Sequence, residues 1–193
     1  YITGIKYEGC VLFLGGDIFS GDIHEELSET NEDTILASVI FWAEQVTAGI
    51  NLLAEHFDYV HVPCVVGNHG RRTRKPRHKL RAKDNFDWFL SKTLEQRFIG
   101  NNKVTFDVAA GADLIVDVQD TKYLLTHGDQ AKGGGGVGGI WPSLVRMVSK
   151  KRTNVDFDYM VLGHFHQLTM APSAGFLLNG SLKGYDEYAA IGN

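Results

Sequence analysis

The alternation of apolar and polar positions predicts strands and helices that follow one another along the chain. Seven short apolar runs have the length of β-strands: 10–14, 59–66, 103–108, 114–118, 123–126, 159–162 and 176–178. In 34–57 the apolar residues recur every three or four positions, which predicts a long amphipathic helix. Shorter helices are predicted over 84–98 and 141–150. Strands that alternate with helices are typical of an α/β fold.

Four of the predicted strands are followed by a loop with a glycine and a side chain that can bind a metal. In chain order these side chains are Asp17, Asn68 with His69, His127, and His164 with His166. Because the carboxyl ends of parallel strands line up along one edge of a sheet, we expect these residues to converge there. A carboxylate, an amide oxygen and imidazoles form a mixed oxygen and nitrogen ligand set that suits Mn²⁺, Fe²⁺ or Zn²⁺.

Each of these motifs also has an ordinary interpretation, since a single Gly-Asp at a strand end is usually only a turn. The ordered set of four, each behind its own strand, favours a functional site. Two metal ions about 3.5–4 Å apart can clamp a phosphoryl group and activate a water molecule between them. A carboxylate can bridge two cations, so Asp17 is the natural shared ligand.

The ordered motifs of the chain resemble those of the calcineurin-like metallophosphoesterase superfamily: Gly16-Asp17, Gly67-Asn68-His69, His127 and Gly163-His164-Phe165-His166. The motif around Asp17 is more similar to the DNA-repair exonuclease branch than to the protein phosphatases, in which a glutamate follows the Gly-Asn-His motif. Residues 179–188 also resemble phosphoesterases of phage genomes. The resemblance implies a four-layer α/β/β/α sandwich with two mixed β-sheets.

The resemblance also implies a role for each site residue. Asp17 would bridge both metals, Asn68, His127 and His164 would complete one metal site, and His166 would bind the other metal. His69 would contact the phosphate and protonate the leaving oxygen. The family's first motif, Asp-x-His, has no counterpart before Asp17. We therefore expect 1–193 to be one metallophosphoesterase domain that lacks its first strand and part of its C-terminus.

Composition excludes several classes of protein. With 44% hydrophobic and 22% charged residues, the chain has the balance of a globular protein, not of a disordered or collagen-like one. We expect no apolar run of the roughly 20 residues that a membrane span needs. Cys10 and Cys64 lie in apolar runs, so we predict small buried thiols and a cytoplasmic, reducing compartment.

Charge is strongly segregated along the chain. Residues 7–70 contain no lysine or arginine, whereas 71–83 contain eight basic residues in 13 positions. This basic segment is either a solvated charged loop or a contact for a nucleic-acid backbone. Its position directly after His69 favours the second interpretation, with Arg71, Arg72, Arg74 and Lys75 as the candidate contacts.

Together these observations predict a metal-dependent phosphoester hydrolase that uses a dinuclear metal centre and a bridging hydroxide. The expected substrate is a nucleic-acid phosphodiester, with DNA favoured as the partner and an exonuclease as the favoured activity. Two divalent ions are expected, with Mn²⁺ as the first choice and Fe²⁺, Zn²⁺ or Mg²⁺ as alternatives. A phosphatase or phosphodiesterase for proteins or small nucleotides stays open, as does a catalytically silent binding module. No membrane partner is expected.

Overall fold

The computed structural model describes residues 7–132, 138–182 and 184. Residues 183 and 185–188 of the tail that resembles phage phosphoesterases lie outside this part of the chain. The elements, in chain order, are β1 (Gly9–Val11), α1 (Glu25–Thr30), α2 (Ile35–His56), β2 (Tyr59–Cys64), α3 (Phe86–Arg97), β3 (Val104–Val108), β4 (Asp113–Val118), β5 (Thr121–Thr126), α4 (Trp141–Arg152), β6 (Tyr159–Leu162), β7 (Thr169–Ala171), a 3-10 turn (Pro172–Ala174) and β8 (Phe176–Leu178).

The strands form two sheets. The first has the order β1-β2-β3, and all of its pairs are parallel. The second has the order β4-β5-β6-β8-β7, in which the three central strands are parallel and the two edge strands, β4 and β7, are antiparallel to their neighbours. The predicted α/β fold with two sheets is confirmed.

One detail of that prediction is corrected, because the first sheet is parallel over the described residues whereas both sheets were expected to be mixed. The cause is the connectivity of its strands. Helix α2 lies between β1 and β2 in the chain, and α3 lies between β2 and β3. A crossover through a helix returns the chain in the same direction, and so it produces parallel neighbours.

The two sheets pack face to face with helices outside them. Val65 and Val116 belong to a buried cluster between the sheets. On the other face of the first sheet, Val60 and Val62 of β2 pack against Ile50 of α2. Helix α4 covers the second sheet through a cluster that includes Leu144, Met147 and Val148. The layers therefore follow the order α/β/β/α, and burial of these faces is the main stabilising contribution.

Helix α2 corrects the expectation that no apolar segment is long enough to span a membrane. Its 22 residues have a mean hydropathy of 1.4 over an 18-residue window, and 17% of that window is buried. Only Glu44 and Glu55 are charged at neutral pH, so by length and composition alone the helix could cross a membrane. In the structure the helix packs on β2 and α3, and its buried residues are Val39, Ala43 and Ile50.

The two cysteines are free thiols. Cys64 is 1% exposed, as predicted, and burial raises the pKa of its thiol to about 12. Cys10 is only half-buried. Neither thiol lies in the cluster described below, and the cytoplasmic compartment stays a prediction.

Candidate metal centre

Two loops, 15–18 after β1 and 67–70 after β2, approach each other closely. Gly16 has a φ of 84° and Asp17 a φ of 53°, so both residues adopt the left-handed conformation. A Cβ atom on Gly16 would lie 2.2 Å from the backbone nitrogen of Gly67. A Cβ atom on Gly67 would lie 2.0 Å from Oδ1 of Asp17. Only glycine fits at these two positions, since any side chain would force the loops apart.

The Asp17 carboxylate lies at the centre of the cluster and is half-buried. Its Oδ1 accepts a hydrogen bond of 2.7 Å from the backbone N–H of His69. Its Oδ2 lies 2.9 Å from Nε2 of His127. The carboxylate therefore joins a loop of the first sheet to a residue that follows β5 in the second sheet.

His127 is 1% exposed, and its two ring nitrogens have different partners. Nδ1 lies 2.8 Å from the carbonyl oxygen of Gly15, which can only accept, so Nδ1 carries the proton in the neutral ring. Nε2 then faces the Asp17 carboxylate and Oδ1 of Asn68, the latter at 3.1 Å. This arrangement is typical of metal-binding histidines, in which the second nitrogen donates to a carbonyl or carboxylate.

His164 completes the cluster from the loop after β6. Its ring lies 5.1 Å from that of His127, between ring centroids, in an edge-to-face arrangement. Ligand atoms of Asp17, His127 and His164 all lie within 4.8 Å of one another. The structure thus brings together four of the predicted ligands, Asn68 included, from the ends of four different strands.

His166 differs from the other predicted ligands. It is exposed and does not belong to the group of three mutually close ligand residues. It shares with Asp17 and His164 a left-handed backbone, at a φ of 55°. Non-glycine residues in this conformation cost of order 1–3 kcal/mol each and cluster at functional sites. Three of the five such residues in the described part of the chain are predicted ligands.

The pKa shifts show a strong coupling between Asp17 and His127. Burial raises the pKa of Asp17. The hydrogen bond and positive charge of His127 lower it by more than burial raises it, so the net shift is downward. Burial lowers the pKa of His127, while the hydrogen bond and charge of Asp17 raise it, and the net shift is upward. For His164 burial and the charge of His127 lower the pKa. A proton is thus held between a carboxylate and an imidazole, where a divalent cation can take its place, so the donor set fits a metal ion.

His69 lies beside the cluster with one ring nitrogen already engaged. Its Nδ1 is 2.9 Å from the carbonyl oxygen of Ser20, so Nδ1 carries a proton and Nε2 is left for a ligand. The ring of His24 lies 5.9 Å from that of His69, between centroids. Asp22-Ile23-His24 has the letters of the family's Asp-x-His motif but follows the Gly-Asp loop, so the sequence predicts a coincidence there; in the structure the turn before α1 brings His24 beside His69.

Asp87 is a buried site residue that the sequence analysis missed. It is fully buried in the first turn of α3, and its carboxylate accepts hydrogen bonds from the backbone N–H groups of Asp17 (3.0 Å), Ile18 (3.2 Å) and Gly67 (2.9 Å). Burial and the neighbouring charge of Asp17 raise its pKa to about 6. Its sequence context, Asn85-Phe86-Asp87, has only the appearance of an ordinary helix start.

The basic segment, residues 71–83, is more structured than the sequence suggests. The Arg71 guanidinium donates to the carbonyl oxygens of Asn68 (2.5 Å), Thr73 (2.9 Å) and Arg74 (2.9 Å). Arg72 pairs with Asp84 at 3.1 Å. Arg74 lies 3.9 Å from Glu25, and both side chains are largely exposed. Of the four predicted nucleic-acid contacts, only Lys75 has a side chain with no partner among the described residues.

Three further cations of the segment line a cavity beside the cluster. A small cavity beside Asn68 is lined by Arg77, Lys79 and Arg81, among others, and has room for about 30 Å³. Arg81 is tied to Asp129 by a 2.7 Å ion pair, which holds the basic segment against the loop after β5. Among the described residues, Arg77 and Lys79 have no ion-pair or hydrogen-bond partner. Both are exposed cations that line the same cavity as Asn68, a predicted ligand.

Comparisons with known proteins identify no family. No protein-family model and no curated protein matches the chain. Among solved structures, Vps29 from Entamoeba histolytica, as a single mutant, is 18% identical, with 92% of this chain and 77% of that chain covered at a TM-score of 0.41. A conserved uncharacterised protein from Streptococcus pneumoniae TIGR4, described as a predicted phosphoesterase, is 14% identical, with 72% and 66% covered at a TM-score of 0.33. At these identities and TM-scores the similarity assigns no function to the chain.

Proposed function

We propose that this protein is a metal-dependent phosphoester hydrolase and that its substrates are nucleic-acid phosphodiesters. One observation carries the proposal, namely that Asp17, Asn68, His127 and His164 converge from four strand ends into one cluster. A core that only needs stability has no use for a carboxylate and two imidazoles packed together beside an open surface, since buried polar groups are costly. Such clusters of perturbed titratable groups are characteristic of functional sites.

Asp17, Asn68, His127 and His164 would hold one divalent ion, and Asp17 with His166 would contribute to a second. Bound divalent cations supply charge for the phosphoryl oxygens and lower the pKa of a water molecule. The protein's own residues orient the site. The Gly15 carbonyl fixes the His127 ring, and the His69 N–H fixes the Asp17 carboxylate.

His69 has the geometry for a proton donor to the leaving oxygen. Its Nδ1–H is held by the Ser20 carbonyl, so that in the protonated ring the Nε2–H remains to donate. A histidine side chain within hydrogen-bond reach of a leaving oxygen can act as a general acid. We propose that His69 contacts the substrate phosphate and does not bind metal.

The choice of nucleic acid as substrate is supported by the position of the basic segment. Arg77 and Lys79 line a cavity that Asn68 also lines, and Arg81–Asp129 anchors the same segment to the loop that carries His127. A polyanion that reaches the cluster would pass these cations, and its binding would release counterions.

The test compares substrates under controlled metal content. Protein stripped by EDTA, with metal removal confirmed by elemental analysis, should be inactive, and Mn²⁺ should restore hydrolysis of DNA and of a small aryl phosphodiester. Full activity of the metal-free protein would contradict the proposal. Hydrolysis confined to aryl phosphomonoesters or phosphoproteins would instead indicate a phosphatase. Metal binding without hydrolysis of any of these substrates would indicate a silent binding module.

A further inference from the structure

The fully buried Asp87 carboxylate lies between the two loops that form the centre of the cluster. Oδ2 accepts from Asp17 N at 3.0 Å and from Gly67 N at 2.9 Å, and Oδ1 accepts from Ile18 N at 3.2 Å. Asp87 is separated from its partners by 20 to 70 positions in sequence. One side chain on α3 therefore joins the loop after β1 to the loop after β2.

The loop after β1 needs such an anion. Gly16 and Asp17 are both left-handed, and the successive N–H groups of Asp17 and Ile18 point to the two oxygens of the same Asp87 carboxylate. Converging backbone N–H groups of this kind bind anions. Left-handed backbone at Asp17 is unfavourable for an aspartate, so interactions around it must hold it in place. The Asp87 carboxylate supplies two of them.

The neighbouring Asn85 shows why a carboxylate is needed at position 87. Asn85 Oδ1 accepts from the backbone N–H of Asp87 at 2.8 Å, and its Nδ2 donates to the carbonyl oxygen of Gly67 at 2.9 Å. An amide suits that position because it must both accept and donate. Asp87 faces only N–H donors, and a carboxylate is the side chain that only accepts.

Asn85 and Asp87 together hold both backbone groups of Gly67, its carbonyl oxygen and its N–H. Gly67 directly precedes Asn68, a predicted ligand, and Asp17 is the predicted shared ligand. The distance between these two ligands is thus determined by hydrogen bonds from the start of α3. Asn85 also packs closely against the backbone of Gly70 in the same loop, because a Cβ atom on Gly70 would lie only 2.4 Å from Asn85 Oδ1.

We propose that Asp87 is a positioning residue of the metal centre, which sets the affinity for a divalent cation by fixing Asp17 relative to Asn68. It does not touch the ion or the substrate. The inference rests on the proposed function only in that a divalent cation binds at Asp17. Removing a hydrogen-bonding partner of a metal ligand typically costs 10–100-fold in metal affinity.

The experiment measures Mn²⁺ binding to the whole chain, with no substrate present. Asp87→Asn exchanges one acceptor oxygen for an NH₂ group that faces an N–H donor, at nearly constant volume. We expect Mn²⁺ affinity, measured by calorimetry, to fall about 10–100-fold, and the EPR spectrum of bound Mn²⁺ to change because the ligand geometry changes. Ser91→Ala is the matched control. Ser91 is also buried on α3, but its hydroxyl bonds the Asp87 carbonyl within the helix and does not reach either loop.

Each outcome separates the two proposals. If the unsubstituted chain binds no Mn²⁺, the proposed function fails. If it binds Mn²⁺ and folded Asp87→Asn binds with the same affinity and the same EPR spectrum, the positioning role is wrong. Equal weakening in Ser91→Ala would also contradict it, because the effect would then come from destabilised α3.

A second variant covers the case in which Asp87→Asn does not fold. Asn85→Ser keeps an oxygen that caps α3 but removes the donor to Gly67. We expect weakened Mn²⁺ binding in this variant as well. An unchanged affinity there would overturn the proposal that the start of α3 positions the ligands.

Discussion

In His127 and His69 the two ring nitrogens have different partners, and the hydrogen bond made by Nδ1 determines which groups Nε2 can contact. In His127 the Gly15 carbonyl takes Nδ1, so Nε2 faces Asp17 and Asn68. In His69 the Ser20 carbonyl takes Nδ1, so Nε2 remains for a ligand outside the cluster. The same residue type therefore has the geometry of a metal ligand at one position and of a proton donor at the other.

This difference leads to a contrast between two substitutions. His69→Ala should lower turnover by about 10²-fold or more and leave metal content unchanged, because it removes only a general acid. His164→Ala should lower both turnover and metal content, since it removes a ligand. Metal per protein is measured by elemental analysis, alongside hydrolysis of an aryl phosphodiester. Loss of metal in His69→Ala would show that His69 is a ligand.

Titration of His127 gives a second prediction for the metal-free protein. Its folded-state pKa is raised by Asp17 above the ordinary value of about 6.5. A raised pKa means that the contribution to stability is full below the unfolded pKa and is lost as pH rises through the folded pKa. In EDTA, the free energy of unfolding, measured by urea denaturation, should therefore fall as pH rises above about 6.5. His127→Asn should show less of this dependence, and an unchanged pH profile would contradict the Asp17–His127 coupling.

At the scale of elements, the cluster of candidate ligands depends on how closely the turns after β1 and β2 approach each other. These strands are neighbours in the first sheet, with Cys10 opposite Val60, and the pairing extends to a bridge between Leu14 and Cys64. Adjacent parallel strands lie about 4.8 Å apart, so the loops that follow them are forced together. Gly16 and Gly67 are the residues that make this approach sterically possible.

Gly67→Ala tests this close approach. Its Cβ would lie 2.0 Å from Asp17 Oδ1 and 2.4 Å from Asp17 N, so one of the two loops must move. We expect a loss of about 2 kcal/mol or more in the free energy of unfolding, together with lower metal content. Gly111→Ala is the control, because a Cβ atom at that position would have nothing within 4 Å and the backbone φ is ordinary. Equal stability of the two variants would show that the loops are less tightly packed than these distances indicate.

At the scale of the whole molecule, positively charged side chains lie both at the carboxyl ends of the strands, beside the cluster, and at their amino ends. The basic segment lies with the loops at the carboxyl ends of the strands, where Arg81 contacts Asp129. Lys103 and Lys122, by contrast, lie at the amino ends of β3 and β5. A net charge of −4 thus coexists with a local excess of cations beside the cluster.

The two edges allow a charge-matched test of nucleic-acid binding. Arg77→Gln with Lys79→Gln should weaken DNA binding and reduce the salt slope by about 1 for each lost phosphate contact. Lys103→Gln with Lys122→Gln removes the same charge from the opposite edge and should have little effect. Both double variants should retain hydrolysis of a small aryl phosphodiester. Equal salt slopes for the two would show that the basic segment is only a solvated loop.

Local sequence determined most of the elements of this protein. Helix α2 begins at Ile35 because Thr34 caps it, with its side chain accepting from the backbone N–H of Ala37, and the periodic apolar positions bury one face. Strands β6 and β8 have the predicted bounds, since four and three apolar residues between polar turns specify a buried strand. The short α1 and β7 were missed because neither has a periodic apolar pattern.

Tertiary structure alone decided which polar residues act together. The candidate ligand residues could be selected from the sequence because each follows an apolar strand, a signal contained within a few positions. The role of Asp87 could not, because it depends on N–H groups 20 and 70 positions away that meet only after the strands pair. For the same reason no local pattern showed that the Arg71 guanidinium donates to three backbone carbonyls of its loop, and its contact with nucleic acid stays a prediction. Hydrogen-bond partners that are distant in sequence are chosen by the fold, and no local pattern specifies them.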